Sequence, residues 1–188
     1  DHRQGDIQPI DVFTTTCTPP DEDGYVDFGG SPWHKGDFTR RARIAILEVA
    51  PWLVRCRTTE RLHVSEVTHF VETQISERPT RVMAGPPPEA MVVAGFVNEI
   101  VEDGDTIQIG AGRTATFMPE GGAFEGKHDL GWHSEITTGP MVEWMMNGVI
   151  NSSRKTVDQG LAVTTLVNPR SPEAEEWVAT SGLIETRP

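Results

Sequence analysis

The chain has 188 residues, of which 37% are hydrophobic and 23% charged, and its 16 basic and 28 acidic side chains give a net charge of −12. These values exclude a disordered chain and leave room for a buried core, in one domain or in two small ones. The acidic balance argues against a nucleic-acid partner, which binds through a basic face. A small anionic substrate stays compatible with it, because a few local donors outweigh a distant net charge.

No part of the sequence has the character of a membrane segment or an export signal. No run approaches the roughly 20 consecutive apolar residues that a transmembrane helix needs, and the first residues lack the apolar region of a signal peptide. We therefore expect a cytoplasmic protein with no membrane partner. Cys17 and Cys56 are the only cysteines. They are too few for a disulfide framework or a structural zinc site, so free thiols are expected.

The first half of the chain predicts a strand, a helix and another strand. Residues 11–17 are rich in β-branched residues and stop at two prolines, which is typical of a strand running into a loop. Residues 37–50 begin with a capping aspartate and place apolar residues among charged ones, which predicts a helix. The pattern of residues 62–71 predicts a second strand.

A proline-rich stretch over residues 78–88 indicates a linker, and we place a domain boundary between residues 80 and 81. The charge also changes there. Residues 1–88 contain 10 basic and 13 acidic side chains, whereas residues 89–188 contain 6 and 15. The second half is therefore the more acidic part of the chain.

The second half alternates between helical and extended patterns. Its predicted elements are a helix over 89–101, a turn over 103–105, a strand over 106–109, a strand over 130–136, a helix over 139–146 and a strand over 162–166. Such alternation implies an α/β fold with mostly parallel sheets and flanking helices.

A glycine-rich turn, Gly110-Ala111-Gly112, follows the predicted strand 106–109. Glycines there let the backbone approach a bound group closely, and exposed N–H groups can face a phosphate or a developing oxyanion. As a dinucleotide fingerprint the pattern is weak, because a proline and two glycines interrupt the helix that should follow. A nicotinamide-dependent enzyme and a plain structural turn both stay open as alternatives.

Glu135 lies where a predicted parallel strand ends, and open α/β sheets bind ligands at this edge. A solvated or helix-capping glutamate is the simpler alternative. The run His133-Ser134-Glu135 does not form a catalytic triad, because neighbouring side chains on a strand point to opposite faces.

Three other polar groups have ordinary structural interpretations. His63, Glu66 and His69 would be spread around a helix rather than share one face, so no metal site is predicted. Residues 33–35 beside two glycines either line a pocket or cover the edge of a core. Residues 152–155 include two cations that suit an anionic ligand, although a solvated loop explains them as well.

Three sequence blocks, 102–112, 127–135 and 148–156, carry a family resemblance by their order and intervals. Together they resemble the class I CoA-transferases, and among these the acetyl-CoA hydrolase/transferase branch with the 4-hydroxybutyrate CoA-transferases. Residues 17–25 and 63–66 add to the likeness, which covers nearly the whole chain.

The resemblance implies a CoA-transferase-like α/β fold containing parts of two domains. Residues 1–80 would form part of the N-terminal domain and residues 81–188 the first part of the C-terminal domain. The family's subunits are about twice as long, so the resemblance implies a chain truncated at both ends.

The resemblance also implies the chemistry and the site residues. Glu135 matches the family's covalent nucleophile, and Gly110, Ala111, Gly112 and His133 are the expected substrate-binding residues. The substrates would be an acyl-CoA and a short-chain carboxylate, with coenzyme A as a substrate, no resident cofactor and no metal. The partner expected from the family is a second copy of the chain, or complementing chains that supply the missing segments. An acyl-CoA hydrolase and a non-catalytic fragment or subunit of a split enzyme are the alternatives.

Overall fold

The computed structural model describes residues 9–75 and 85–188 of the chain. In these two ranges the strands are β1 (Ile10–Cys17), β2 (Tyr25–Asp27), β3 (Ala42–Val49), β4 (Arg57–Thr58), β5 (Arg61–His63), β6 (His69–Glu72), β7 (Thr106–Ile107), β8 (Gly131–Thr138), β9 (Ala162–Asn168) and β10 (Ile184–Thr186). The α-helices there are α1 (Lys35–Arg41), α2 (Pro88–Ile100), α3 (Arg113–Phe117), α4 (Gly139–Met146) and α5 (Pro172–Thr180).

The strands form two parallel sheets and one short antiparallel pair. The first sheet has the order β1-β3-β6, the second has the order β4-β10-β9-β8-β7, and β2 pairs with β5. Every pairing within the two larger sheets is parallel. The prediction of an α/β fold with mostly parallel sheets and flanking helices is therefore confirmed.

The two halves of the chain meet along the second sheet. Strand β4 comes from the first half and pairs with β10, placing Arg57 opposite Glu185. Further along that side, the N–H of Val167 donates to the carbonyl of Gly30 over 2.7 Å. The proposed domain boundary at residues 80 and 81, with most of the predicted linker, lies outside the described residues and stays a prediction.

The predicted helix over 37–50 is wrong beyond Arg41. The helix α1 ends at Arg41, and residues 42–49 form β3, the central strand of the first sheet. Ala45 and Leu47 are buried there, and Ile44 and Ile46, which alternate with them, are half-buried. A strand covered on both faces carries a nearly continuous apolar run, and such a run cannot be told from a buried helix by its periodicity.

Two other strand predictions are correct only in part. The predicted strand 62–71 is divided into β5 and β6 by a 3-10 turn at Val64–Glu66, in which the His63 and Glu66 side chains cap the turn reciprocally. The predicted strand 106–109 ends at Ile107. The elements α5 and β10 were not predicted.

The remaining predictions in the second half are confirmed within a few residues. Helix α2 matches the prediction over 89–101, and α4 has the bounds that the sequence indicated. Strands β8 and β9 also lie where they were expected. The helices α2 and α4 both have a proline in their first turn. Proline lacks a main-chain N–H, and at this position an N–H would have no acceptor within the helix.

Two separate hydrophobic clusters correspond to the two parallel sheets. The larger contains Trp132, Phe124, Leu130, Met141 and Ile150, all with at most 1% of their surface exposed. The smaller surrounds Leu47, Phe28 and Leu62. None of the described helices has both the length and the apolar character of a bilayer-spanning segment.

Candidate functional site

Glu135 lies near the carboxyl end of β8, three residues before the cap of α4. The strand lies in the interior of the second sheet, between β9 and the edge strand β7, and the Glu135 side chain is half-buried. The cap residue of α4 is Thr138. The carboxylate therefore lies at the ligand-binding edge of a parallel sheet, as the sequence predicted for a residue in this position.

The glycine-rich turn lies directly against this carboxylate. The Ala111 N–H donates a hydrogen bond to Glu135 Oε2 over 3.3 Å. A Cβ atom added at Gly110 would lie 3.3 Å from the same oxygen, so a larger side chain there would press on the carboxylate. Gly110, Ala111 and Glu135 are thus brought together, although they are 24 or 25 positions apart in sequence.

Gly112 lies at the far end of the same turn. It is the cap residue of α3, with φ −70° and ψ 139°, and a Cβ atom added there would meet only Ala115 Cβ at 4.0 Å. Helix α3 is 5 residues long. The turn therefore does not open the uninterrupted helix that a dinucleotide-binding fingerprint requires.

Ser134 attaches the start of this turn to β8. Its Oγ accepts the Ile109 N–H at 2.8 Å and lies 2.9 Å from the Ile109 carbonyl oxygen, to which it can donate. The serine is 5% exposed. This role of Ser134 is not predictable from the sequence, because a serine next to a glutamate on a strand carries no local signal of such a contact.

Two threonine hydroxyls hold the main chain of Glu135 from the opposite side. Thr165 Oγ1 donates to the Glu135 carbonyl over 2.6 Å, and Thr164 Oγ1 lies 3.3 Å from the same oxygen. Both threonines lie on β9, whose register pairs Ser134 with Thr164. Neither threonine carries a recognisable signal in the sequence, because only the register of β9 against β8 brings them to Glu135.

His133, the other predicted binding residue, is exposed and lies two positions before Glu135 on β8. Side chains two apart on a strand share a face. The acidic residue that interacts electrostatically with His133 is Asp158, whose two carboxylate oxygens accept hydrogen bonds from Arg187 at 2.9 Å. These bonds lower the pKa of Asp158, and the charge of His133 lowers it further. His133 is thus within electrostatic range of an acidic residue that is already paired with an arginine.

The polar run 152–155 is structural and does not offer open cations to an anion. Arg154 pairs with Asp129 at 2.7 Å. Lys155 is 5% exposed, and its Nζ donates to the carbonyls of Trp132 and Leu161 at 2.9 and 2.7 Å. Burial lowers the pKa of Lys155. Lys155 is therefore committed to main-chain carbonyls beside β8, whereas Ser153 and Arg154 are exposed, as the solvated-loop interpretation expects.

The remaining sequence candidates have structural roles. Lys35 Nζ lies 5.9 Å from the centre of the Phe28 ring, so this part of residues 33–35 covers the edge of the smaller core. In the part of the chain that the structure describes, no three histidine, cysteine or acidic residues form a metal-binding group.

Both cysteines are free, as expected. Burial raises the pKa of Cys17 to about 12 and that of Cys56 to about 11. Both thiols are therefore protonated at neutral pH, which makes them weak competitors of Glu135 for an electrophile.

Comparisons with known proteins show the family to which the chain belongs. No protein-family model matches the chain. The chain is 32% identical over 162 residues to a succinyl-CoA:cyclohexane-1-carboxylate CoA transferase of Geobacter metallireducens, covering 85% of this chain and 36% of that protein. It is 28% identical over 184 residues to a 4-hydroxybutyrate coenzyme A transferase of Clostridium kluyveri, covering 95% and 41%.

Solved structures give the same result. RipA from Yersinia pestis superposes with a TM-score of 0.78 at 30% identity, over 95% of this chain and 41% of that one. A 4-hydroxybutyrate CoA-transferase from Porphyromonas gingivalis gives 0.81 at 27% identity, over 96% and 45%. The chain thus spans less than half the length of these relatives. By sequence and by fold, it belongs to the CoA-transferase family that includes the 4-hydroxybutyrate CoA-transferases.

Proposed function

We propose that this chain carries the glutamate nucleophile of a CoA-transferase, which moves coenzyme A from a short-chain acyl-CoA to a carboxylic acid. The observation that carries the proposal is the contact between Glu135 Oε2 and the Ala111 N–H at the carboxyl edge of the second sheet. It places a carboxylate and a main-chain donor side by side. Covalent acyl transfer needs these two groups, a nucleophile and a donor for the developing oxyanion.

The reaction begins with attack of a Glu135 carboxylate oxygen on the thioester carbonyl carbon of the acyl-CoA. The C–S bond breaks, the coenzyme A thiolate leaves, and an acyl-glutamyl anhydride remains. The thiolate then attacks the glutamyl carbonyl carbon of this anhydride. The C–O bond breaks, the first carboxylic acid leaves as its carboxylate, and a glutamyl-CoA thioester is formed.

A second carboxylate completes the cycle by the same steps in reverse. It attacks the glutamyl thioester carbon and expels the thiolate, which then attacks the substrate carbonyl of the new anhydride. The new acyl-CoA leaves and the Glu135 carboxylate is regenerated. The thioester bond energy is conserved, so the reaction needs coenzyme A only as a substrate and requires no resident cofactor or metal.

The Ala111 N–H has a different partner at each stage of this cycle. In the free protein it donates to the Glu135 carboxylate. When Glu135 is acylated, the same N–H faces the glutamyl carbonyl, whose oxygen gains negative charge in the two attacks on that carbon, by the coenzyme A thiolate and by the second carboxylate. A preorganised donor of this kind is worth about 10²–10³ in rate.

The position of His133 supports a role in binding substrate. Its side chain is exposed on the face of β8 that carries Glu135. An imidazole there can hydrogen-bond to the acyl group or the pantetheine of the substrate. The family also implies partners, either a second copy of the chain or chains that supply the remaining length of the relatives.

Intact-protein mass spectrometry after addition of an acyl-CoA tests the proposal. We expect a gain of one coenzyme A, mapped to the peptide 131–140 and absent in Glu135→Gln. Glu143→Gln, at an exposed glutamate of α4, is the matched control and should retain the adduct. An adduct elsewhere, or none in the unaltered chain, would overturn the proposal and favour a non-catalytic subunit.

The acceptor decides between transfer and hydrolysis. Incubation with acyl-CoA and a second carboxylate should yield the new acyl-CoA, and omission of that acid should leave the adduct in place. Release of free coenzyme A at the same rate without any acceptor acid would instead identify an acyl-CoA hydrolase, in which water resolves the glutamyl intermediate.

A further inference from the structure

The segment from Ile109 to Ala111 follows β8 without being part of the sheet ladder. The backbone pairing of β7 with β8 stops at Ile107 and Trp132. Beyond that point two side chains of β8 bind the segment, because Ser134 Oγ contacts both main-chain polar groups of Ile109 and Glu135 accepts from Ala111. One weaker main-chain bond, from the Ile136 N–H to the Ile109 carbonyl at 3.4 Å, adds to them.

These two side-chain attachments behave differently during the proposed reaction. Whenever the Glu135 carboxylate becomes an anhydride or a thioester, the Ala111 N–H loses its charged acceptor and faces a neutral carbonyl oxygen, so this attachment of the turn weakens during the cycle. The Ser134 hydroxyl takes no part in bond making. It is buried at 5% exposure, and its contacts are with main-chain groups of Ile109 and Ile136, which the reaction does not alter.

We propose that Ser134 is a positioning residue, which holds the turn so that the Ala111 N–H stays aimed at the Glu135 carboxyl group while that group is covalently occupied. This role rests on the proposed function. Ser134 acts through the turn and not on the substrate, so its loss should leave substrate binding nearly unchanged. The chemical step should slow, since an ångström of misplacement can cost about 10²-fold in rate.

The surroundings of Ser134 supply a rigid base for this role. The Glu135 carbonyl is held by Thr165 Oγ1 at 2.6 Å, so β8 is fixed from the side opposite the turn. Ile109, to which Ser134 binds, is itself buried in the larger core at 3% exposure. The serine therefore links β8 to the buried residue Ile109, and the glycine-rich turn begins directly after Ile109.

The experiment compares the unaltered chain with Ser134→Ala and with Thr39→Ala. Thr39 is also a buried hydroxyl with one main-chain partner, Lys35 O at 2.7 Å, but it lies in α1. In Ser134→Ala we expect faster amide hydrogen exchange in the peptide containing residues 109–112. The maximal rate of coenzyme A adduct formation should fall about 10- to 100-fold, with the half-saturating acyl-CoA concentration unchanged. Thr39→Ala should change neither quantity.

Ser134→Thr keeps a hydroxyl on the same carbon and should retain slow exchange and most of the rate. The outcomes separate the two proposals. Unchanged exchange over 109–112 in Ser134→Ala refutes the attachment whatever the activity, and faster exchange with an unchanged adduct rate refutes the positioning role. Absence of an adduct in the unaltered chain overturns the proposed function itself, and the positioning role with it.

Discussion

The two parallel sheets differ in how completely they are covered. The three-stranded sheet has an edge strand, β6, whose four residues are all exposed, and its core cluster is the smaller one. The five-stranded sheet buries most of β8 and β9, and buried hydroxyls of Thr137 and Thr164 bond to each other there at 3.0 Å. The candidate site lies at the carboxyl edge of this second, more completely buried sheet.

The largest expected effect is the loss in the free energy of unfolding when a buried leucine in either core is replaced by alanine. Leu130 and Leu47 are both fully buried, Leu130 in the larger cluster and Leu47 in the smaller one. Leucine-to-alanine changes in cores cost about 2–5 kcal/mol, depending on how far the surroundings collapse. We expect Leu130→Ala to fall at the upper end and Leu47→Ala at the lower, as measured by denaturant unfolding.

The comparison of the two variants is direct, because the removed atoms are the same. We expect the surroundings of Leu47 to collapse further into the space left by the removed atoms than those of Leu130. An equal loss of stability in both variants, or a larger loss in Leu47→Ala, would contradict this expectation. A change in the slope of the unfolding curve would show instead that the two regions no longer unfold together.

A glycine at the contact between the two regions gives an intermediate effect. A Cβ atom added at Gly30 would overlap the Val167 carbonyl oxygen, so Gly30→Ala must separate the loop after β2 from β9. We expect a loss of about 1–3 kcal/mol in the free energy of unfolding. The main-chain bond from Val167 to Gly30 should open, which hydrogen exchange at Val167 would detect.

Gly95→Ala is the matched control for that variant. Gly95 lies inside α2, and a Cβ atom added there meets nothing within 4 Å. Removing a glycine from a helix interior should stabilise the chain by about 0.5–1 kcal/mol. The two changes should therefore have opposite signs, and destabilisation by both would indicate that the Gly30 contact has no special importance.

The smallest expected effect is a loss of stability at acidic pH through the Asp158–Arg187 ion pair. Hydrogen bonds from Arg187 lower the pKa of Asp158 below its ordinary value of 3.8. The unfolded chain therefore takes up this proton at a higher pH than the folded chain, and the contribution to stability is present above about pH 4 and lost as the pH falls through the folded pKa. Asp158→Asn should be less stable than the unaltered chain at neutral pH, with the difference vanishing in acid.

Unfolding measured over a series of pH values checks this prediction. Glu22→Gln, at an exposed acid in the loop before β2, is the control and should leave the acid dependence unaltered. A difference between Asp158→Asn and the unaltered chain that persists at low pH would rule out the ion pair as its cause.

Sequence reasoning worked best where local signals agree with the tertiary structure. Helix α4 has a proline in its first turn and follows a strand directly, and its bounds were predicted correctly. It failed for β3, where a capping aspartate and an apolar run indicate a helix but pairing with β1 and β6 imposes a strand. Tertiary pairing overrides local propensity there, because the run is long enough for either structure.

The candidate site shows the same division. A family resemblance marked Glu135, and the glycine pattern marked the turn at residues 110–112. Ser134 and Thr165, which hold the turn and the strand, have no signal of their own in the sequence. Their role depends on contacts 25 and 30 positions away, and no spacing rule reaches that far.

The sequence by itself determined the class of the fold and the position of the acidic residue at a strand end, since both follow from short-range patterns of apolar residues, prolines and glycines. Only the tertiary structure decided which groups face that residue. Parallel strands distant along the chain are brought side by side by burial of their apolar faces, and the register of that packing sets which hydroxyls and N–H groups meet the carboxylate.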